Sequence, residues 1–215
     1  MQAIDQAAIA AYHIPRLLLM EHAGLAVADA ARRLAPDRSV PILICCGSGF
    51  NGGDGLAAAR HLQASGYLLR LMLIGRVGEL RQEPAAYAAM LTALHCSITE
   101  VTSPAALEGF DEPLRACGLV IDALLGIGAR GPVREPTATL IARINGAGKP
   151  VLSVDLPSGL DGDTGAVQGV AIRATATVTF GAVKRGCLIG EGPAHTGALS
   201  VDPITFPRSV LETGR

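Results

Sequence analysis

The sequence predicts an α/β protein with helices packed on both faces of a parallel sheet, and three observations carry that expectation. Strand-like apolar runs alternate with helix-like segments from about residue 40 to residue 155. The connections between them are short, which implies right-handed crossovers and strands running the same way. The core must also be aliphatic, because hydrophobic residues make up 49% of the 215 residues and aromatics only 3%. Central strands of a parallel sheet, buried on both faces, read as such continuous Val, Ile and Leu runs.

Each element has its own signal. Gln2 to about Tyr12 is Ala-rich and helical in propensity. His13-Ile14-Pro15 interrupts it, since the residue before a proline avoids helical angles while proline suits a helix start. A helix from Pro15 to about Leu34 follows, with Leu17, Met20, Gly24, Val27 and Ala31 expected on its buried face. Val40–Cys46 reads as a buried strand, Gly53–Ala64 as a helix, Tyr67–Ile74 as a strand and Pro84–Leu94 as a helix. Ala105–Arg115 is an expected helix, Leu119–Leu124 a strand, Pro136–Asn145 a helix closed by Gly146 and Gly148, and Pro150–Asp155 a strand. Thr175–Phe180 and Leu199–Ile204 are strands with little helix between them, expected to finish one edge of the sheet. The length suits one sizeable core, so residues 1–215 are read as a single domain.

Composition excludes several classes. The formal net charge is -1 and no run of like charges occurs, so nothing predicts a nucleic-acid or anionic-membrane surface. No apolar run reaches the roughly 18 residues that would span a membrane, and no secretory signal is legible. The five cysteines, Cys45, Cys46, Cys96, Cys117 and Cys187, are odd in number and lack metal-ligand spacing. Inert buried thiols in a reducing, cytoplasmic setting are the expectation.

The strongest local signal is Gly47-Ser48-Gly49-Phe50-Asn51-Gly52-Gly53-Asp54-Gly55, set between a strand and a helix. Glycines there let a ligand approach the main chain closely, and the amides opening the helix favour an anion. Gly47, Gly49 and Gly52 satisfy G-x-G-x-x-G, although the acid expected about 20 residues on is replaced by Leu73-Ile74-Gly75-Arg76. A second segment runs from Ile121 to Gly131: Asp122 interrupts an apolar strand, and Gly126, Gly128 and Gly131 form a loop at that strand's end. A buried carboxylate must find a cation or hydrogen-bond donors. The third is Ser153-Val154-Asp155-Leu156-Pro157-Ser158-Gly159, with Asp155 ending a strand where open parallel sheets place their ligand crevice. There it could act as general acid or base. Asp161-Gly162-Asp163-Thr164-Gly165 is read as a turn, because it lacks the downstream bidentate acid of a calcium loop.

Asn51, Asp122 and Ser158 offer only oxygens, which suits a hard cation and not zinc. The five histidines are scattered without ligand spacing, and no Gly-x-Ser-x-Gly elbow suggests an esterase.

These segments, taken in order, resemble the motifs of the NAD(P)H-hydrate epimerases. The matching residues are Met20-Glu21-His22-Ala23-Gly24, Asn51-Gly52-Gly53-Asp54-Gly55-Leu56, Asp122 to Gly128 and Val154 to Gly159, followed by Val178-Thr179-Phe180-Gly181 with Lys184. The resemblance implies a Rossmann-like three-layer αβα sandwich with a mostly parallel sheet. It also implies an isomerase that interconverts the R and S forms of hydrated NADH and NADPH, so that a separate NAD(P)H-hydrate dehydratase can restore the cofactor. Carried over motif by motif, Phe50, Asn51, Gly52, Gly53, Asp54, Gly126, Ile127, Gly128, Ala129, Arg130, Gly131, Pro132 and Asp155 would contact the hydrated dinucleotide, with Asp155 the catalytic residue. Asn51, Asp122 and Ser158 would bind a potassium ion, Arg130 would hold phosphates or orient its loop, and a homodimer is compatible with the family. The chain departs from the pattern at Phe50, where a second asparagine is usual, and at His22, where an asparagine is usual. Two other readings stand beside this one. An NAD(P)-dependent dehydrogenase would use the glycine string and Arg76 as a 2′-phosphate partner; a non-catalytic binding or interaction scaffold would use the same fold.

Overall fold

The computed structural model describes residues 2–209; Met1 and residues 210–215, the ends of the expected domain, lie outside them. Two helices lead the chain, α1 (Gln2–Tyr12) and α2 (Arg16–Leu34), with extended Pro15 capping the second. Then come β1 (Ile42–Cys46), α3 (Phe50–Ala64), β2 (Leu69–Ile74), α4 (Gln82–Ala93) and β3 (Ile98–Val101). A short helix α5 (Asp111–Ala116) precedes β4 (Leu119–Ala123), and α6 (Thr137–Gly146) precedes β5 (Val151–Val154). β6 (Ala176–Phe180), α7 (Gly192–Thr196) and β7 (Ala198–Asp202) complete the order.

The strands form one sheet in the order β3-β2-β1-β4-β5-β6-β7, and every pair is parallel. Side chains alternate across it. Ile42, Ile44 and Cys46 of β1 join the core beneath α2, α3 and α4, while Leu43 and Cys45 join the core on the face of α5 and α6. Two aliphatic cores on opposite faces make the three layers. The order reverses between β1 and β4, so their loops leave in opposite directions and open a crevice at the carboxyl edge.

Three expectations need correction. β3 was not foreseen: Ile-Thr-Glu-Val is four residues long, half of it exposed at the sheet's edge, and carries almost no periodic signal. The helix expected over 105–115 is two pieces, a 3-10 turn at Pro104–Leu107 and α5, because Gly109 turns to φ +82 between them. Leu17 is 39% exposed and does not share the buried face of Met20, Gly24, Val27 and Ala31. That face packs tightly: a Cβ on Gly24 would lie 2.4 Å from the Cβ of Ala57 in α3. Among the described residues no helix is long and apolar enough to cross a membrane.

Candidate active site

A cleft of about 470 Å³ lies at that carboxyl edge, within the size usual for small-molecule sites. One wall is the turn after β1. Gly47, Ser48, Gly49, Phe50 and Asn51 line it, with Asp54 one helical turn further along α3. The turn can sit there only because it opens with glycine, since a Cβ on Gly47 would lie 2.0 Å from the carbonyl oxygen of Leu124. The facing wall is the loop after β4, residues 124–129, and Asp155 at the end of β5 closes the floor.

Asp155 is the most constrained side chain there. It is 9% exposed and adopts φ +67, a left-handed backbone that a non-glycine residue keeps only when its surroundings enforce it. Its amide donates to Val178 (2.8 Å). Its Oδ1 accepts from Thr179 Oγ1 and the Phe180 amide, both at 3.2 Å, and from the ammonium of buried Lys184. Lys184 donates also to the Phe180 carbonyl (3.0 Å). No described residue donates to Oδ2, so that oxygen is available to the cleft.

Asp122 and Ser158 lie beneath the cleft. Asp122 is fully buried, and its register against Ser153 across β4 and β5 brings the two side chains together. Its Oδ2 accepts from Ser153 Oγ (2.8 Å) and the Ser158 amide (2.9 Å), and its Oδ1 from Ser158 Oγ (2.5 Å) and the Leu124 amide (3.3 Å). Burial pushes its carboxyl above the ordinary range, against the pull of those donors, the Ser158 hydroxyl foremost. No cationic side chain among the described residues pairs with it. Asn51 reaches the same cluster through its amide nitrogen, 3.0 Å from the Leu125 carbonyl, and Ser158 Oγ is 3.3 Å from that carbonyl. Asn51 and Ser158 therefore meet at one oxygen, the Leu125 carbonyl, and Asp122 joins them through the Ser158 hydroxyl.

Not every residue expected at the substrate lies on the cleft surface. Phe50, Asn51, Asp54, Gly126, Ile127, Gly128, Ala129 and Asp155 do. Gly52 and Gly53 are buried packing positions: a Cβ would lie 1.8 Å from the Gly47 carbonyl oxygen in the first case and 2.6 Å from Met20 Cε in the second. Arg130, Gly131 and Pro132 sit outside the lining, and Arg130 leans toward Asp161 (4.0 Å) and Asp163 (3.8 Å). Asp161 itself organises the expected turn, its Oδ1 accepting from the Asp163 and Thr164 amides. Arg76 is exposed and does not line the cleft. Sequence reading missed three contributors: Lys184 and Thr179 as partners of Asp155, and Arg16 on the cleft wall. Lys184 and Thr179 lie in a quoted motif but reveal their partner only across the β5–β6 pair.

A parallel seven-stranded sheet with a glycine-turn cleft at its switch point defines a Rossmann-like α/β protein. Residues 16–186 match the family described as YjeF-related protein N-terminus, and the chain belongs to that family. The NAD(P)H-hydrate epimerase of Limosilactobacillus fermentum is 40% identical over 201 residues, covering 94% of this chain and 92% of that one. The bifunctional NAD(P)H-hydrate repair enzyme Nnr of Pyrobaculum aerophilum is 42% identical over 196 residues, 90% of this chain. The chain spans only 38% of that bifunctional relative. The crystal structure of yeast ynu0 superposes with a TM-score of 0.83 at 26% identity, covering 98% of this chain and 88% of the yeast chain.

Proposed function

We infer that the chain is an isomerase, an NAD(P)H-hydrate epimerase that interconverts the R and S hydrates of NADH and NADPH in cofactor repair, with residues 1–215 as one epimerase domain. The observation that carries the reading is Asp155, tethered through one carboxylate oxygen and presenting the other to the cleft. The epimerases among its relatives point the same way.

The chemistry asks for little more. The hydrated ring carries a hydroxyl on the carbon beside the ring nitrogen. The nitrogen lone pair forms a C=N bond as the C–O bond breaks, and the departing hydroxyl takes a proton and leaves as water. Water then adds to either face of the iminium and gives its proton back. In this reading Asp155 Oδ2 donates and recovers that proton, supported by the hold that Lys184, Thr179 and the Phe180 amide have on Oδ1. Such proton transfer is worth roughly 100- to 10,000-fold. Asp155→Asn is expected to slow exchange of R and S signals at the hydrated carbon by that factor. The assay is NMR, with the melting temperature of the variant followed in parallel. An unchanged rate in a folded variant removes Asp155 from the mechanism.

The donor set fits a potassium ion, with the Leu125 carbonyl, Asp122 and Ser158 as its oxygens and a buried carboxylate otherwise without a countercharge. Asn51 is able to join once its amide turns its oxygen inward in place of the nitrogen that now donates to Leu125. Bound there, the ion would neutralise Asp122 and stiffen the 124–129 loop that forms one wall. Gly126 keeps that loop close, since a Cβ on it would lie 3.0 Å from Asn51 Cβ. A cytoplasmic enzyme working alongside a hydrate dehydratase completes the reading; a coupled second activity accords with the bifunctional repair enzymes among its relatives. The exposed leucines of α2, Leu17, Leu18 and Leu25, offer a surface for a homodimer.

A further inference from the structure

Arg16 is the first residue of α2 and lines the cleft, with its guanidinium carbon 4.7 Å from the centroid of the Phe50 ring. Helix electrostatics do not explain its place, because a cation in the first turn faces the positive end of the helix dipole. Ion pairing does not explain it either: among the described side chains, no carboxylate lies within ion-pair distance of Arg16. The other ionisable side chains on the cleft surface are Asp54 and Asp155, so Arg16 is the one cation among the described lining residues. Phe50 is unusual as well. It is one of four phenylalanines in the chain and is 46% exposed on the cleft wall. A ring beneath the guanidinium removes freedom from a long side chain while its N–H groups keep their capacity to donate.

We propose that Arg16, set over the Phe50 ring, is a phosphate-binding residue that takes the pyrophosphate of the dinucleotide at the glycine-turn end of the cleft. This rests on the reading of the cleft as a dinucleotide site and adds the residue that recognises the charged part of the substrate. A planar fork matches two phosphate oxygens at once, whereas lysine offers a point charge. Phe50 supplies through its ring an order that an asparagine at that position would not.

ADP-ribose tests the subsite apart from the chemistry, because it has the pyrophosphate and lacks the nicotinamide ring. Its affinity for the protein is measured by calorimetry, alongside KM and kcat for hydrated NADH. Arg16→Gln is expected to weaken ADP-ribose binding and raise KM by about 10-fold or more, from the loss of a charge-assisted bidentate contact. Arg16→Lys should recover part of that loss, and Phe50→Leu should lose several-fold while kcat falls little. Thermal melts report that each variant is folded. ADP-ribose binding that is equal in wild type and Arg16→Gln overturns the proposal and leaves the epimerase reading standing. Arg16-dependent binding without epimerisation would keep the subsite and remove the enzyme. A wild type that epimerises hydrated NADH but does not bind ADP-ribose also overturns the proposal.

Discussion

Asp122 is a carboxyl that the fold surrounds with four donors and no cation, and its response to pH follows from that. Its folded pKa is raised, with burial as the main cause. A raised folded value means that its contribution to stability is complete below the ordinary carboxyl pKa and is lost as pH rises through the folded one. An oxygen-bound monovalent cation would offset that loss where the group is charged. Potassium at tenfold over its dissociation constant should therefore lift the melting temperature at pH 8 by roughly 3–6 °C against an equal concentration of tetramethylammonium. The lift should shrink toward pH 5, and Asp122→Asn should lose it. Equal shifts in wild type and Asp122→Asn would place the ion elsewhere.

At the scale of elements, the cleft depends on how close α2 lies to α3. Gly24 and Ala57 set the spacing, and Met20 on the same helix packs over Gly53 and lines the cleft. Glu21 extends the seam, pairing with Arg60 and accepting 2.8 Å from the Tyr87 hydroxyl, which ties α4 to the other two helices. Gly24→Val would push its Cβ into Ala57 and force the helices apart. Overpacking of this kind typically costs about 1–3 kcal/mol, a drop of roughly 2–12 °C in melting temperature for a chain of this length. Epimerisation should fall with it, because Arg16 and Met20 ride on α2. A Gly24→Val protein that melts with wild type would show that the helices have room to spare.

For the whole molecule, the two cores on the sheet enclose three of the five cysteines, Cys45, Cys46 and Cys117, and Cys187 is buried outside them. Cys45, Cys46, Cys117 and Cys187 are buried and Cys96 is half-buried, all as free thiols. Burial pushes the Cys45 and Cys46 thiols well up, so in the folded protein they are poor nucleophiles. A thiol reagent should modify Cys96 first in native buffer, with the other four reacting together only as denaturant unfolds the chain. Early labelling of Cys45 or Cys46 would mean that the sheet opens locally without global unfolding.

β1, β4 and β5 could be read from continuous apolar runs, because a central strand buried on both faces leaves such a stretch. β2, β6 and β7 carried mixed runs that include Leu, Val or Ile. β3 escaped because it is four residues long and its middle pair, Thr99 and Glu100, is polar and exposed. Asp122, Asp155 and Asn51 stood out for the opposite reason, as polar groups beside segments that must be apolar. The sequence by itself determined the layered α/β plan, the glycine turn and the loops that could bear chemistry, since each is written in contiguous residues. Only tertiary structure decided that Lys184 ties Asp155 through one oxygen, that Arg16 meets Phe50, and that Gly52 and Gly53 serve packing. Those outcomes depend on which side chains long-range strand and helix neighbours bring within a few ångströms, and local pattern carries no record of that.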